Sequence, residues 1–404
     1  MAVAASPATS PAVTPAAVRL TSLDVFRGAT MLFMASEILE IAHVARQFPA
    51  NGFARFLASA LDHREWVGCA PWDLIQPAFM FMVGVALPFS VASRTARGQT
   101  FARMFGHSVV RALILIALGI FLRSQHRPQT YFTFEDVLTQ IGLGYVFLFL
   151  LAWARPRIQL IAAVLILIAY WAAFALYPLP AAGFDTTTVG VRPDWPHHLQ
   201  GFAAHWDKNT NVAHYADVWF LNLFPRERPF AYNGGGYLTL NFVPSLATMI
   251  FGLLAGGRLR SRLDDRQKVT SLLAWGAAGI AAGALLHLLG VCPIVKRIWT
   301  PSWTLFSAGW VTIMLGALYY LIDVKGLRRW TWPFVVVGAN SIAMYTLVHV
   351  AAEYVERSLV IHLGRAPFEL FGAAFAPIAL GACALATFWL ILYWMYRQRV
   401  FVRI

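Results

Sequence analysis

The chain has 404 residues, of which 59% are hydrophobic and only 13% charged, and its mean hydropathy is +0.60. Soluble domains carry about 25% charged residues, so this chain cannot cover a water-facing surface, and a soluble globular protein is excluded. The net charge of +13 is spread in short clusters between apolar runs, which reports membrane topology and anionic headgroups and excludes nucleic acid as a partner.

The expected fold class is an all-α integral membrane protein: a bundle of about ten transmembrane helices, each needing about 20 apolar residues, with one long extracytoplasmic loop. Residues 1–18 are rich in Ala, Pro, Ser and Thr and uncharged. They lack the basic and apolar regions of a signal peptide and are predicted to be a disordered tail ahead of a membrane domain over 19–404. The first helix, roughly 22–42, then acts as an uncleaved anchor. It holds four ionisable residues. Asp24 and Arg27 are three apart, share a helix face and are expected to pair. Glu37 and Glu40 also share a face, and two close carboxylates in a poorly solvated site do not both ionise easily, so one of them suits proton transfer.

The next connection contains "LDHREW", residues 61–66. His63 is flanked by acids and expected on the same membrane face as Glu37 and Glu40, while Trp66 offers an apolar or sugar-stacking wall. The second helix, 70–93, opens with "PWDLIQP", which puts Asp73 and Gln76 on that face too. Pro71 and Pro77 predict an irregular start whose free backbone groups line a cavity. Helices at 107–122, 134–153 and 157–177 follow. Residues 178–237 are too polar to span and rich in Trp, Tyr, His, Asp and Asn; such a loop is either a cap over the bundle or a lid suited to stacking on sugars. Further helices are expected at 238–257, 269–290, 302–322, 330–352 and 371–394. Asn340 and Ser341 fall in mid-span of the ninth, where polar side chains need partners. Cys69, Cys292 and Cys383 show no metal or framework spacing, so no metal is expected; Cys69 and Cys292 are able to meet only if they share a membrane face.

Basic residues orient the bundle. With the N-terminus in the cytoplasm, the short segments on that side carry 17 Lys and Arg against 9 in the short connections opposite, as the positive-inside rule requires. Both termini are therefore expected in the cytoplasm, and His63 and 178–237 outside it, in a multi-pass protein of the cell inner membrane.

Four segments carry a family resemblance: "RLTSLDVFRG", "HREWVGCAPWDLIQPAFMFMVGVALPFS", "VKGLRRWTWPFVVVGANSIAMY" and "RQRVFVRI". In this order, from residue 19 to the C-terminus, they resemble the heparan-α-glucosaminide N-acetyltransferase family and its bacterial relatives. The resemblance implies a transmembrane acyltransferase using cytoplasmic acetyl-CoA as donor, an amino sugar beyond the membrane as acceptor, and an essential histidine matching His63. Two positions depart from the pattern. "MASEILE" places Glu37 near the family's asparagine, and Thr139-Gln140 stands where the family has Gln-Arg.

Residues and resemblance together predict transfer of an acyl group from acyl-CoA to an amine or hydroxyl of a carbohydrate or glycoconjugate. His63, Glu37 and Asp73 are the catalytic candidates. Asp24, Arg27, Glu40, Trp66, Asn340 and Ser341 are the substrate-binding candidates. Arg94, Arg97, Arg258 and Arg260 are expected to hold the CoA phosphates by charge-assisted hydrogen bonds. The partners are the lipid bilayer, acyl-CoA and the acceptor; a homodimer is left open. The rival reading is a proton-coupled transporter or flippase, in which the buried acids and His63 relay protons and no thioester is cleaved.

Overall fold

The computed structural model describes residues 20–402, so the tail expected over 1–18 lies outside the described residues. Those residues form helices and turns joined by a single two-residue β-bridge, with no strand among them. The helices are α1 (Thr21–Ala35), α2 (Ile41–Arg46), α3 (Gly52–Ala60), α4 (Ile75–Ala96), α5 (Phe101–Arg123), α6 (Val137–Leu151) and α7 (Pro156–Ala175). They continue as α8 (Val212–Leu221), α9 (Phe242–Arg260), α10 (Asp265–Leu288), α11 (Pro301–Leu318), α12 (Trp332–Ala339), α13 (Ser341–Leu363) and α14 (Ala376–Arg397). The protein is an all-α integral membrane protein.

Among the described residues, seven of the expected spans are single helices long and apolar enough to cross a membrane, and α12–α13 form one more as a pair bent by 79°. The remaining two expectations, the first and fourth, are the 15-residue helices α1 and α6. At 1.5 Å per residue each reaches only ~22 Å, short of a ~30 Å hydrocarbon core. The first span therefore does not run unbroken to residue 42. After Ala35 the chain tightens into a 3₁₀ turn over Ser36–Leu39, and Glu40 adopts a left-handed conformation at φ 49° before α2 begins. The ninth span likewise breaks at Asn340 instead of carrying it in mid-helix.

Hydrogen bonds and packing sort the elements into two ends. At one end the carboxylate of Asp323 caps α1, accepting from the amides of Thr21 and Ser22 at 3.1 Å each. The Asn340 break lies at this end as well, tied to Val400 and Val402 beyond α14. At the other end, residues 61–74, 178–237 and 291–300 pack together. The long segment 178–237 is ordered by two 3₁₀ turns and α8, and by an apolar cluster of its own that includes Trp66, Phe174, Trp195, Trp206, Leu238 and Ile298. It is a folded cap with a core, not a structureless loop.

The helix that links the ends is α4, which packs closely on α9. A Cβ at Gly84 would lie 1.9 Å from Met249 O, and one at Gly252 would lie 2.0 Å from Phe81 O. Only glycine allows the two backbones to touch, the usual way helices associate without a hydrophobic driving force between them.

Candidate active site

The sequence "LDHREW" is a set of anchors, each holding a different neighbour. Asp62 pairs with Arg46 of α2 and accepts the His63 amide at 2.8 Å. Glu65 accepts from Trp195 Nε1 at 2.6 Å and lies 3.3 Å from His197, both on the cap. The Trp195 hydrogen bond, with His197 nearby, holds the Glu65 carboxyl below its usual range. Trp66 donates from Nε1 to Trp206 O at 3.1 Å. Its ring is 1% exposed, set edge-on to Trp195, and pressed under Gly236, where φ is +77° and a Cβ would lie 2.8 Å from the ring, so no larger residue fits. A ring so enclosed cannot stack on an acceptor, so the expected sugar wall at Trp66 is corrected: this tryptophan clamps the cap.

His63 turns inward. Its Nδ1 lies 2.8 Å from Asp73 Oδ1. Asp73 sits in the 3₁₀ turn Pro71–Leu74 ahead of α4, is fully buried, and also accepts the amides of Ala70 at 2.9 Å and Arg64 at 3.3 Å. A buried carboxylate persists only when paired and hydrogen-bonded, and this one has four donors around it. The last is Lys296 Nζ, 3.3 Å from Oδ1. Lys296 also lies 2.9 Å from His63 Nδ1 and 3.5 Å from Nε2. The carboxylate is acceptor-only, so Nδ1 carries the proton and donates it to Asp73; the Lys296 ammonium is then held beside Nδ1 by the shared carboxylate and not by a bond to that nitrogen. This tautomer leaves the lone pair on Nε2, 3.5 Å from the Lys296 ammonium, on a ring whose side chain is 36% exposed.

Lys296 is a member of this cluster that the sequence reading missed. It is 233 residues from His63, and the connection to it is tertiary. Val67 bridges Val295 antiparallel and the Gly68 amide donates to Ile294 O at 2.9 Å, which lays the chain around Lys296 alongside residues 66–68 and within reach of His63. Thr300 Oγ1 supports the turn, accepting from the Val295 and Trp303 amides and donating to Pro293 O. Burial pushes the Lys296 pKa down to about 8, against the upward pull of Asp73. A lysine in an apolar connection gave no sequence signal.

Glu37 and Glu40 do not join this cluster. Both are exposed, and among the described residues the side-chain hydrogen-bonding partners of His63 are Asp73 and Lys296. The shared-face argument presupposed a continuous helix; the 3₁₀ turn and the left-handed Glu40 destroy that register.

The opposite half of α4 lines a cavity of about 600 Å³, closed by α1, α5, α6, α12 and α13. Asp24, Arg27, Arg94, Arg97, Arg111 and Ser341 are in its wall. Asp24 and Arg27 pair at 3.9 Å, as expected, in this wall. An adjoining chamber of about 220 Å³ shares Arg94 and Arg111. Arg111 is a second omission. Its guanidinium lies 4.7 Å over the Tyr145 ring and donates to the Tyr145 hydroxyl at 3.2 Å, while its buried Nε has no partner among the described residues. The rule that charges inside spans are functional was available for it. Asn340 serves the backbone, giving Nδ2 to Val400 O and accepting from Val402 N, and so is corrected from a ligand to a tether. Arg258 and Arg260 are corrected as well. Arg258 bonds Ser271 and covers Trp275, Arg260 lies over Phe89, and neither is in the cavity wall. Cys69, Cys292 and Cys383 are free thiols, and the described residues hold no metal-type cluster.

No family model matches the chain. Among curated proteins it is similar to heparan-α-glucosaminide N-acetyltransferase of Homo sapiens, 24% identical over 96% of this chain and 60% of the relative. The same enzyme of Mus musculus is 24% identical over 83% of this chain and 54% of the relative. The chain thus spans a little over half the length of the curated relatives it matches, and the similarity agrees with the resemblance carried by its four motifs.

Proposed function

We propose, from this distant kinship and from the two ends of α4, that the protein is a membrane acyltransferase. The donor is acyl-CoA, with acetyl-CoA as the simplest case. Its phosphates pair with Arg94, Arg97 and Arg111, and its thin pantetheine arm runs along α4 toward His63. The acceptor is an amine or hydroxyl on a carbohydrate at the capped end. His63 Nε2 takes the acceptor's proton as its nitrogen or oxygen attacks the thioester carbonyl. The C–S bond breaks, the thiolate leaves, and the imidazolium returns the proton to sulfur. Asp73 fixes the tautomer and stabilises the imidazolium. The Lys296 ammonium offsets negative charge on the carbonyl oxygen as it develops. The cavity end is the cytoplasmic one on the count of basic residues, which puts His63 and the cap outside.

The observation that supports this reading best is the His63–Asp73 pair, whose 3₁₀ turn leads directly into α4, the helix that lines the arginine-bearing cavity with its other half. The test is incubation of purified protein with labelled acetyl-CoA and a panel of amino sugars, followed by free thiol and acylated product. Acceptor-dependent thiol release that His63→Ala abolishes is the expected result. No thiol release, with proton-driven movement of a solute in proteoliposomes, would return the protein to the transporter reading. Orientation is tested at Trp219 on the cap, which is 69% exposed: Trp219→Cys should react with an impermeant thiol reagent in intact cells, and reaction only after lysis would reverse the topology.

A further inference from the structure

The cavity wall ends at Phe79 on α4, short of Asp73 and of the His63 it holds. On α4 the wall follows one face from Arg97 and Arg94 through Ser90, Leu87 and Val83 to Phe79. The next two residues of that face, at steps of three, are Gln76 and Asp73, and neither is in the wall. On α6 the wall ends at Ile141, Leu138 and Val137. Between these two ends lies a pair of amides. Gln76 Nε2 donates to Gln140 Oε1 at 3.4 Å, and Gln140 Nε2 donates to Glu135 O at 3.2 Å. Gln140 is fully buried, and the Gln76 carbonyl accepts no hydrogen bond among the described residues.

We propose that Gln76 and Gln140 are a gate between the donor cavity and the His63 site, opened by an amide-bearing ligand arm. Their shared bond is at the long limit for N–H···O, and a neutral amide pair is weak. Parting the pair without replacement strands polar groups in a poorly solvated place. An arm that carries its own amides and a thioester carbonyl replaces both halves, accepting from Gln76 Nε2 and donating to Gln140 Oε1. Apolar side chains in these positions would close the passage with nothing for such an arm to exchange. The gate also keeps water from the capped end off a bound thioester until the arm has arrived. The identity of the arm rests on the acyltransferase reading; the barrier itself does not.

The experiment measures access. Val83 lines the cavity beyond the gate, and Val83→Cys is a small change. In proteoliposomes without donor, a membrane-impermeant thiol reagent is supplied only from the face carrying His63, and labelling is taken relative to the chain without Val83→Cys. The expected result is slow labelling with both glutamines intact and labelling at least ~10-fold faster with Gln76→Ala or Gln140→Ala. The two variants remove opposite halves of the pair, so misfolding of one leaves the other to decide. Fast labelling with the pair intact, or no acceleration in a folded alanine variant, would overturn the gate. Because no acyl transfer is read, a working gate in a protein that never cleaves acetyl-CoA would sink the acyltransferase reading alone.

Discussion

The two ends of α4 are built on opposite principles. At the capped end the acids and the lysine around His63 are committed: Asp73 to four donors, Glu65 to the cap, Asp62 to Arg46, Lys296 between the carboxylate and the imidazole. At the cavity end the guanidiniums of Arg94 and Arg97 bond only side chains or carbonyls of their own stretch, Gln99 and Ser93, beside several hundred cubic ångströms of space. The difference matches the work proposed for each. Chemistry at a developing charge gains from donors already fixed, because no reorganisation is needed at the moment of reaction. Holding a large flexible anion needs charge that adapts, and uniform binding of that kind lowers KM without speeding the chemical step.

Changes at the rigid end should therefore strike kcat, and changes at the open end KM. The largest effect is expected at His63. His63→Ala should leave expression and fold intact, because the ring is partly exposed, and lower the transfer rate by ~10²–10⁴-fold. His63→Gln should be almost as damaged, since it keeps a hydrogen bond but not proton transfer. Activity within about threefold of wild type would remove His63 from the chemistry. Glu37→Gln is the matched control and should change the rate little, as that carboxylate lies off the cluster.

Next comes Lys296→Met, which keeps the bulk of the stem and deletes the charge. Loss of one pre-placed cation should lower kcat by ~10²-fold with KM for the donor nearly unchanged. A raised KM at normal kcat would instead place Lys296 among binding groups. The same variant carries a pH signature. In the wild type the Lys296 pKa is lowered by burial to about 8 from 10.5, so the unfolded chain binds more protons between those values. Stability then rises as pH rises from about 8 toward 10.5. Thermal unfolding in detergent should show this gain in the wild type and less of it in Lys296→Met; equal slopes would contradict the burial argument.

A smaller effect is expected at the open end. Arg94→Gln and Arg111→Gln should each raise the apparent KM for acetyl-CoA ~10-fold, about 1.4 kcal/mol, with kcat less affected. Arg260→Gln should leave KM unchanged, because its guanidinium lies over Phe89 outside the cavity. Equal shifts in all three would mean that these arginines act by general surface charge and that the cavity is not the donor's seat.

Much of this protein was legible in one dimension. Low charge and long apolar runs settle an all-helical membrane protein, because lipid leaves the backbone no other open-ended way to satisfy its hydrogen bonds. The polar island at 61–66 and Asp73 stood out because ionisable groups at membrane depth are costly. What the sequence could not contain is who faces whom. The pairing of Glu37 with Glu40 was inferred from a helical period that the 3₁₀ turn after Ala35 breaks. Asn340 looked like a mid-span ligand until the 79° bend made it a tether. Trp66 looked like a surface for sugar until the cap closed over it. Lys296 was invisible, for its role exists only where Val67 meets Val295. Composition and periodicity are sums over neighbours along the chain, whereas a catalytic cluster is a coincidence of distant backbone segments, and only packing fixes that coincidence.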